Sequence, residues 1–235
     1  EEAIKNVDVS GSVVYRYESF DDSEGNATRT DRNKYKIGLN LSSKVNDYVK
    51  FNSRFIVGSK ANGGWASLNA GKENNTDNVQ GADGQADVSL SNAYFGFTAI
   101  PNTVVNIGKQ GLTTPYTVAV DINGNEQTGT GILALTTVGP VTGGLGYFNN
   151  TNLNKSSEIN LTQGLGLDAF PNGANGVING GQDVYVATVQ GDLDFVKLEA
   201  WYLGHQENFN SYTLAATSNI DLAENAKIGL EARYV

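Results

Sequence analysis

The feature that most constrains this chain is a repeated two-residue alternation of apolar and polar side chains, which indicates β-strands and not helices. In residues 35–45, for example, apolar side chains take most odd positions, while Lys, Asn and Ser take most even ones. Runs of this kind predict about eleven strands. They are Val7–Glu18, Tyr35–Val45, Val49–Val57, Val88–Ala99, Thr103–Gln110, Ile132–Val138, Gly144–Phe148, Asp183–Gln190, Phe195–Leu203, Ser211–Ile220 and Ala226–Val235.

The connections between these strands alternate in length. Short turns are predicted at 46–47, 100–102, 139–143, 191–194 and 221–225, and longer polar loops at 20–33, 59–86, 108–131, 149–181 and 204–210. Because successive antiparallel strands reverse direction, this order places all short turns at one end and all long loops at the other. The arrangement is typical of an up-and-down outer-membrane barrel and not of a Greek-key sandwich.

Alternation alone fits both a soluble sandwich and a membrane barrel, whose apolar face meets lipid and whose polar face meets a watery lumen. Apolar content is 39%, below the ~45–50% of soluble domains, and charges recur on the polar face of consecutive strands. Tyrosines near strand ends resemble interfacial girdles: Tyr15, Tyr17, Tyr35, Tyr202 and Tyr234. We therefore predict an all-β, up-and-down antiparallel transmembrane β-barrel, with residues 1–235 as one domain.

Composition excludes several other classes. The formal net charge is −9, which argues against nucleic acid as a partner. The sequence has no Cys, so disulfides do not stabilise it, and no apolar run is long enough for a membrane-spanning helix. The start has no basic and apolar signal segment, although it could be a mature end. The single His205 and the absence of a Cys nucleophile give no catalytic set, so we do not expect an enzyme.

The stretch 108–131 organises the predicted barrel. It is long for a connection in a compact β-structure, and connections of this length are usually functional or disordered. It contains an acidic, oxygen-rich half at 121–126. We interpret it as a constriction loop folded into the lumen.

Charged residues supply the predicted pore lining. Four basic side chains lie on the polar faces of the first three strands, and two acidic ones lie on the loop. Opposed acidic and basic walls create a transverse field that orients dipolar solutes and disfavours apolar ones. The alternative is a solvated sheet face. The predicted constriction residues are Arg16, Lys34, Lys36, Arg54, Asp121 and Glu126.

Oxygen ligands alternate at Asp121, Asn123 and Asn125. Calcium takes six to eight oxygen ligands, so a site completed by distant residues is one reading, and an acidic polar turn is the other. The segment is not an EF-hand, because Glu126 stands where that motif requires Gly.

The sequence also resembles a known family. Its opening, Glu1 to Gly11 and then Tyr15-Arg16-Tyr17, resembles the mature start of the major outer membrane porins of the Campylobacter group. Further similar stretches follow in order: 35–38, 107–110, Asp121, 129–131, 183–204 and 230–234. The resemblance implies a trimeric barrel that passively admits small hydrophilic solutes and ions, with a bound calcium ion near the constriction. It favours Asp121 as a metal ligand, and the alternation of oxygen donors adds Asn123 as the second candidate ligand.

Porins of this kind have about 16–18 strands, and single-chain bacterial barrels have an even number. We therefore expect the eleven predicted strands to be the N-terminal portion of a longer barrel, incomplete at the C-terminal end.

The sequence thus predicts a general porin of the bacterial outer membrane, in contact with lipid and forming a homotrimer. The alternative is a soluble or secreted all-β adhesin or carbohydrate-binding domain.

Overall fold

The structure, a computed structural model, describes residues 6–20, 30–58, 64–67, 87–121, 124–153, 180–207, 209–223 and 226–235. Within these residues, twelve strands form one sheet. In chain order they are β1 (Val7–Phe20), β2 (Thr30–Lys44), β3 (Val49–Gly58), β4 (Ala66–Ser67), β5 (Asp87–Phe97), β6 (Thr103–Gly111), β7 (Thr128–Val138), β8 (Val141–Thr151), β9 (Val184–Asp192), β10 (Lys197–His205), β11 (Phe209–Ala223) and β12 (Ala226–Tyr234).

The sheet has up-and-down topology. Its order is β1-β2-β3-β5-β6-β7-β8-β9-β10-β11-β12, and each neighbour pair is antiparallel. The eleven long strands overlap the eleven predicted ones, although some boundaries differ: β2 begins at Thr30 and not at Tyr35, and β8 spans Val141–Thr151 and not Gly144–Phe148. The fold-class prediction is therefore confirmed. Among the described residues, no helix is long and apolar enough to cross a membrane.

Two further differences from the sequence prediction concern the polar face. Strands β6 and β7 pair as far as Gly111 and Thr128, because their backbones continue to exchange hydrogen bonds through glycine-rich ends. Their connection is therefore residues 112–127, shorter than the predicted 108–131. The second difference is β4, a two-residue strand that pairs with β2 inside the stretch predicted as a polar loop.

One face of the sheet is apolar and exposed. Large hydrophobic side chains on this face include Val13 (75% exposed), Leu145 (69%) and Tyr234 (74%). In a soluble sandwich, a second layer would cover this face, but all described strands belong to one sheet. The soluble-sandwich alternative is therefore wrong for this fold, and the apolar face has the character of the lipid-facing side of a membrane barrel.

Tight strand packing requires glycine at position 131, where the β7–β8 register shifts. A Cβ added to Gly131 would lie 1.9 Å from the carbonyl oxygen of Tyr147, whereas one added to Gly143 on β8 would meet nothing within 4 Å. We expect Gly131→Ala to lower the free energy of unfolding by about 1–3 kcal/mol through overpacking. Gly143→Ala, the matched control, should have little effect.

Urea-unfolding curves in detergent, followed by tryptophan fluorescence, provide the measurement. Equal midpoints for the two variants would contradict the packing described at Gly131.

Candidate functional site

The connection between β6 and β7, residues 112–127, lies on the polar face of the sheet. It folds as two limbs: Leu112 N donates to Gln127 O (3.0 Å) and Gln127 N donates to Ala119 O (3.2 Å). Val120 pairs with Glu126 in an isolated antiparallel bridge. We call this segment the strap. Loops normally run over a protein's surface, but much of the described strap is buried.

Glu126 holds one side of the strap. Its side chain is 91% buried. The Arg54 guanidinium on β3 donates from Nε to Oε1 and Oε2 (2.9 and 3.0 Å) and from Nη2 to Oε1 (2.8 Å). Lys36 Nζ on β2 lies 3.4 Å from Oε1 and donates to Gly124 O (2.7 Å). Ser91 on β5 also donates to Oε2. One carboxylate thus joins the strap to three strands.

Local sequence explains how these groups meet. Gly38 on β2 leaves room for Arg54, because an added Cβ would lie 2.5 Å from Nη2. Ser91 is the extra residue of a β-bulge: Arg54 pairs with Asn92, and Phe55 pairs with Leu90. A bulge redirects a side chain, and here it gives Ser91 to the polar face. The sequence contains a sign of this bulge. The apolar residues of β5 that face outward have even numbers as far as Leu90 and odd numbers from Ala93 onward.

The electrostatics keep Glu126 ionised. Burial alone would raise the pKa of its carboxyl, but hydrogen bonds from Arg54 and Ser91 and the charges of Lys36 and Arg54 outweigh that effect. The pKa therefore lies below its ordinary value. Charge-assisted, multidentate contacts of this type are the strong ones in proteins.

The far side of the strap is held by Tyr116. Its hydroxyl contacts Thr213 on β11, a fully buried residue, and accepts a hydrogen bond from Ser211 (2.6 Å). Tyr116 is also part of a cluster of buried apolar side chains from the strap, β8, β9, β10 and the residues after β8. The cluster is Leu112, Tyr116, Phe148, Leu153, Val184, Val186 and Leu203. The strap therefore crosses the polar face. It contacts β2, β3 and β5 on one side of the β6–β7 pair, and β11 on the other.

Two further contacts were not predicted from sequence. Asn152, in the stretch predicted as a polar loop, donates from Nδ2 to Glu126 O (2.6 Å), and its Oδ1 accepts from Thr128 N (2.8 Å). Trp65 lies beside Gly124, where an added Cβ would be 2.4 Å from its Nε1. No periodicity marked these positions, because both lie between long strands.

The predicted constriction residues separate into two groups. Lys36, Arg54 and Glu126 meet in one ion-paired cluster, in direct contact rather than across an open passage. Arg16 and Lys34 pair instead with Glu18 (3.5 and 2.9 Å), and the Arg16 guanidinium lies 4.4 Å from the centre of the Trp65 ring. Their role in a constriction stays a prediction.

Asp121 closes the turn of the strap. Its Oδ1 and Oδ2 accept hydrogen bonds from N (2.8 Å) and Nδ2 (3.1 Å) of Asn125. Calcium takes six to eight oxygen ligands, and within the described ranges no three His, Cys, Asp or Glu side chains group around a metal position. The side-chain oxygens of Asp121 and Asn125 alone are too few to form such a site. Asn123 lies outside the described residues, so calcium binding stays a prediction.

An antiparallel up-and-down sheet with an apolar exposed face, and a strap across its polar face, defines an outer-membrane β-barrel protein. Residues 1–235 match the profile of the Campylobacter major outer membrane protein family. The chain therefore belongs to that family, as its sequence motifs predicted, and its location is the outer membrane.

Solved structures show the same fold. Pseudomonas aeruginosa OccK8 (OprE) matches with a TM-score of 0.64 and 13% identity, over 98% of this chain and 54% of that one. Pseudomonas aeruginosa OccD3 (OpdP) has a TM-score of 0.60 and 14% identity, over 98% and 49%. Pseudomonas aeruginosa OprD matches with a TM-score of 0.57 and 13% identity, over 98% of this chain and 49% of that one. The chain thus spans about half the length of these proteins. No curated protein sequence matches it.

The charge on Glu126 predicts how the strap responds to acid. Since the folded-state pKa is lowered, the ion pairs stabilise the strap fully above the ordinary glutamate range and are lost as the pH falls through that lower pKa. In a Trp201→Phe background, we expect the fluorescence of Trp65 to change only when the pH falls below the ordinary pKa range of glutamate. Glu126→Gln should show the acid-form spectrum already at pH 7.

The control for this titration is Asp221→Asn, which removes one exposed carboxylate at the β11–β12 end. Its titration curve should match that of the parent protein. A Glu126→Gln spectrum identical to the parent at every pH would show that this carboxylate does not fix the strap.

Proposed function

We propose that this chain forms part of the wall of a general outer-membrane porin, a water-filled channel for passive diffusion of ions and small hydrophilic solutes. The observation that carries the proposal is the strap, anchored at both sides across the polar face of a sheet whose other face is apolar. In a membrane barrel the polar face lines the lumen. A strap on that face narrows the passage.

The proposal includes closure by further strands. Within the described residues, β1 and β12 are each paired on one side only. Unpaired strand edges are not tolerated in lipid, because no water is present to satisfy their backbone groups. We therefore propose that the eleven long strands belong to a larger barrel. A homotrimer, which the family resemblance implies, is part of the same proposal.

The charge pattern gives the constriction its selectivity. Glu126 carries one negative charge against the two positive charges of Lys36 and Arg54, and all three side chains are largely buried at the strap. Charges in the low-dielectric walls of a narrow passage act on ions more strongly than the same charges in bulk water. Removing one of them should therefore change the preference between cations and anions.

We expect Glu126→Gln to shift the permeability ratio of the channel toward chloride over potassium. The variant leaves Lys36 and Arg54 without their anionic partner beside the strap. The measurement is the reversal potential in a KCl gradient across a planar bilayer, together with single-channel conductance. Asp221→Asn removes the same charge from the exposed end of β11 and serves as the matched control.

Stable conductance steps with an unchanged reversal potential in Glu126→Gln would place the constriction elsewhere in the channel. An absence of steps in the unsubstituted protein would overturn the porin proposal.

A further inference from the structure

A small polar cavity of about 190 Å³ lies on the polar face beside the strap. Its walls come from two rows of residues that run across four neighbouring strands. The first row is Asp8, Ser42, Asn52 and Tyr94, and the second is Ser10, Asn40, Arg54 and Asn92. The first row is nearer the short turn at 45–48. The cavity therefore opens on the short-turn side of the strap.

The cavity offers both donors and acceptors. Asn52 uses its Oδ1 to accept from Ser42 (2.9 Å), and Oδ1 of Asn92 lies 3.2 Å from Oγ of Ser91, whose hydroxyl hydrogen goes to Glu126. Within the described part of the chain, no group accepts a hydrogen bond from Nδ2 of Asn52, Nδ2 of Asn92 or the hydroxyl of Tyr94. The Asp8 carboxylate adds acceptor capacity.

The cationic group at the cavity is already committed. Arg54 directs Nε and Nη2 to Glu126, and Nη1 to Oδ1 of Asn40 (2.8 Å). Asn40 in turn donates to Ser10 (3.3 Å). An anionic ligand would have to displace the Glu126 carboxylate, whereas a neutral ligand would need only the amide, hydroxyl and carboxylate groups of the two rows.

We propose that this cavity is a binding subsite for uncharged polyhydroxylated solutes, of the size of a monosaccharide, that pass through the channel. The inference rests on the porin proposal and adds a solute class to it. Each hydroxyl of such a solute both donates and accepts, so it matches amide donors beside a carboxylate acceptor. The Tyr94 side chain adds an aromatic ring with a polar end.

The size of the cavity suits transport. Its volume of about 190 Å³ is many times the ~10–15 Å³ that one water needs. Its walls are residues on the polar face of the sheet, so a bound solute contacts the sheet on one side and the passage on the other. A channel site must favour entry and still allow exit. The subsite therefore raises the local concentration of solute on the short-turn side of the strap without trapping it.

The test is the effect of D-glucose on ion current through the channel that carries this chain, in planar bilayers with KCl on both sides. We expect a saturable fall in current as glucose rises. Asn52→Ala combined with Asn92→Ala should raise the half-saturating concentration about tenfold, because two hydrogen bonds are lost. Tyr94→Phe, which removes only a hydroxyl, should raise it by a smaller factor.

Asn106→Ala is the matched control, since Asn106 is an amide on the neighbouring strand β6 and does not line the cavity. It should leave the half-saturating concentration within about twofold of the parent, as a side chain without contact to the solute would. A polyethylene glycol of glucose size controls for viscosity.

Three outcomes overturn the subsite. They are a linear fall equal to that with polyethylene glycol, an equal effect of glucose on all variants, and a rise of the half-saturating concentration in Asn106→Ala as large as in the double variant. In each of these cases, stable conductance steps in the absence of glucose would still support the porin proposal. An absence of steps in the parent protein overturns the porin and the subsite together.

Discussion

The ion-paired carboxylate of Glu126 fixes the position of the strap. A buried, isolated carboxylate is strongly disfavoured in a protein interior, and it becomes acceptable here because Arg54, Lys36 and Ser91 all reach it. These residues come from three different strands, so the carboxylate also ties their polar faces together. Breaking a buried pair by removing one partner leaves an uncompensated charge. The strap is therefore sensitive to any change at this one position.

The sheet and the strap define two environments of opposite character. The apolar face can remain exposed because lipid, and not water, is its solvent in a membrane barrel. The polar face carries the ion pairs, the cluster under Tyr116, and rows of amides and hydroxyls near the short turns. On the short-turn side of the charged cluster, the two rows of residues that line the cavity between β1 and β5 are mostly amides and hydroxyls, able both to donate and to accept hydrogen bonds. In the proposed channel, an ion-paired zone at the strap thus lies beside a cavity lined mainly by amides and hydroxyls.

The sequence predicted the strands well because a period of two runs along most of the long strands, with a change of phase at the β5 bulge, and because the loop lengths indicated the up-and-down order. Lys36, Arg54 and Glu126 were also predicted, since charges on a polar face are conspicuous. Their direct contact could not be predicted, because it depends on the three-dimensional path of the strap. Ser91 required recognition of a bulge, and Trp65, Asn152 and Tyr116 lie in stretches without periodicity, where side-chain direction follows from tertiary contacts.

The central claim is that the strap narrows the passage, and cysteine labelling tests it most directly because the chain has no Cys. Val120 lies on the strap and is 47% exposed, so a single Val120→Cys channel can be labelled with a charged methanethiosulfonate reagent. The account predicts a stepwise fall in single-channel conductance on labelling. Complete labelling, confirmed by mass spectrometry, with unchanged conductance would contradict it.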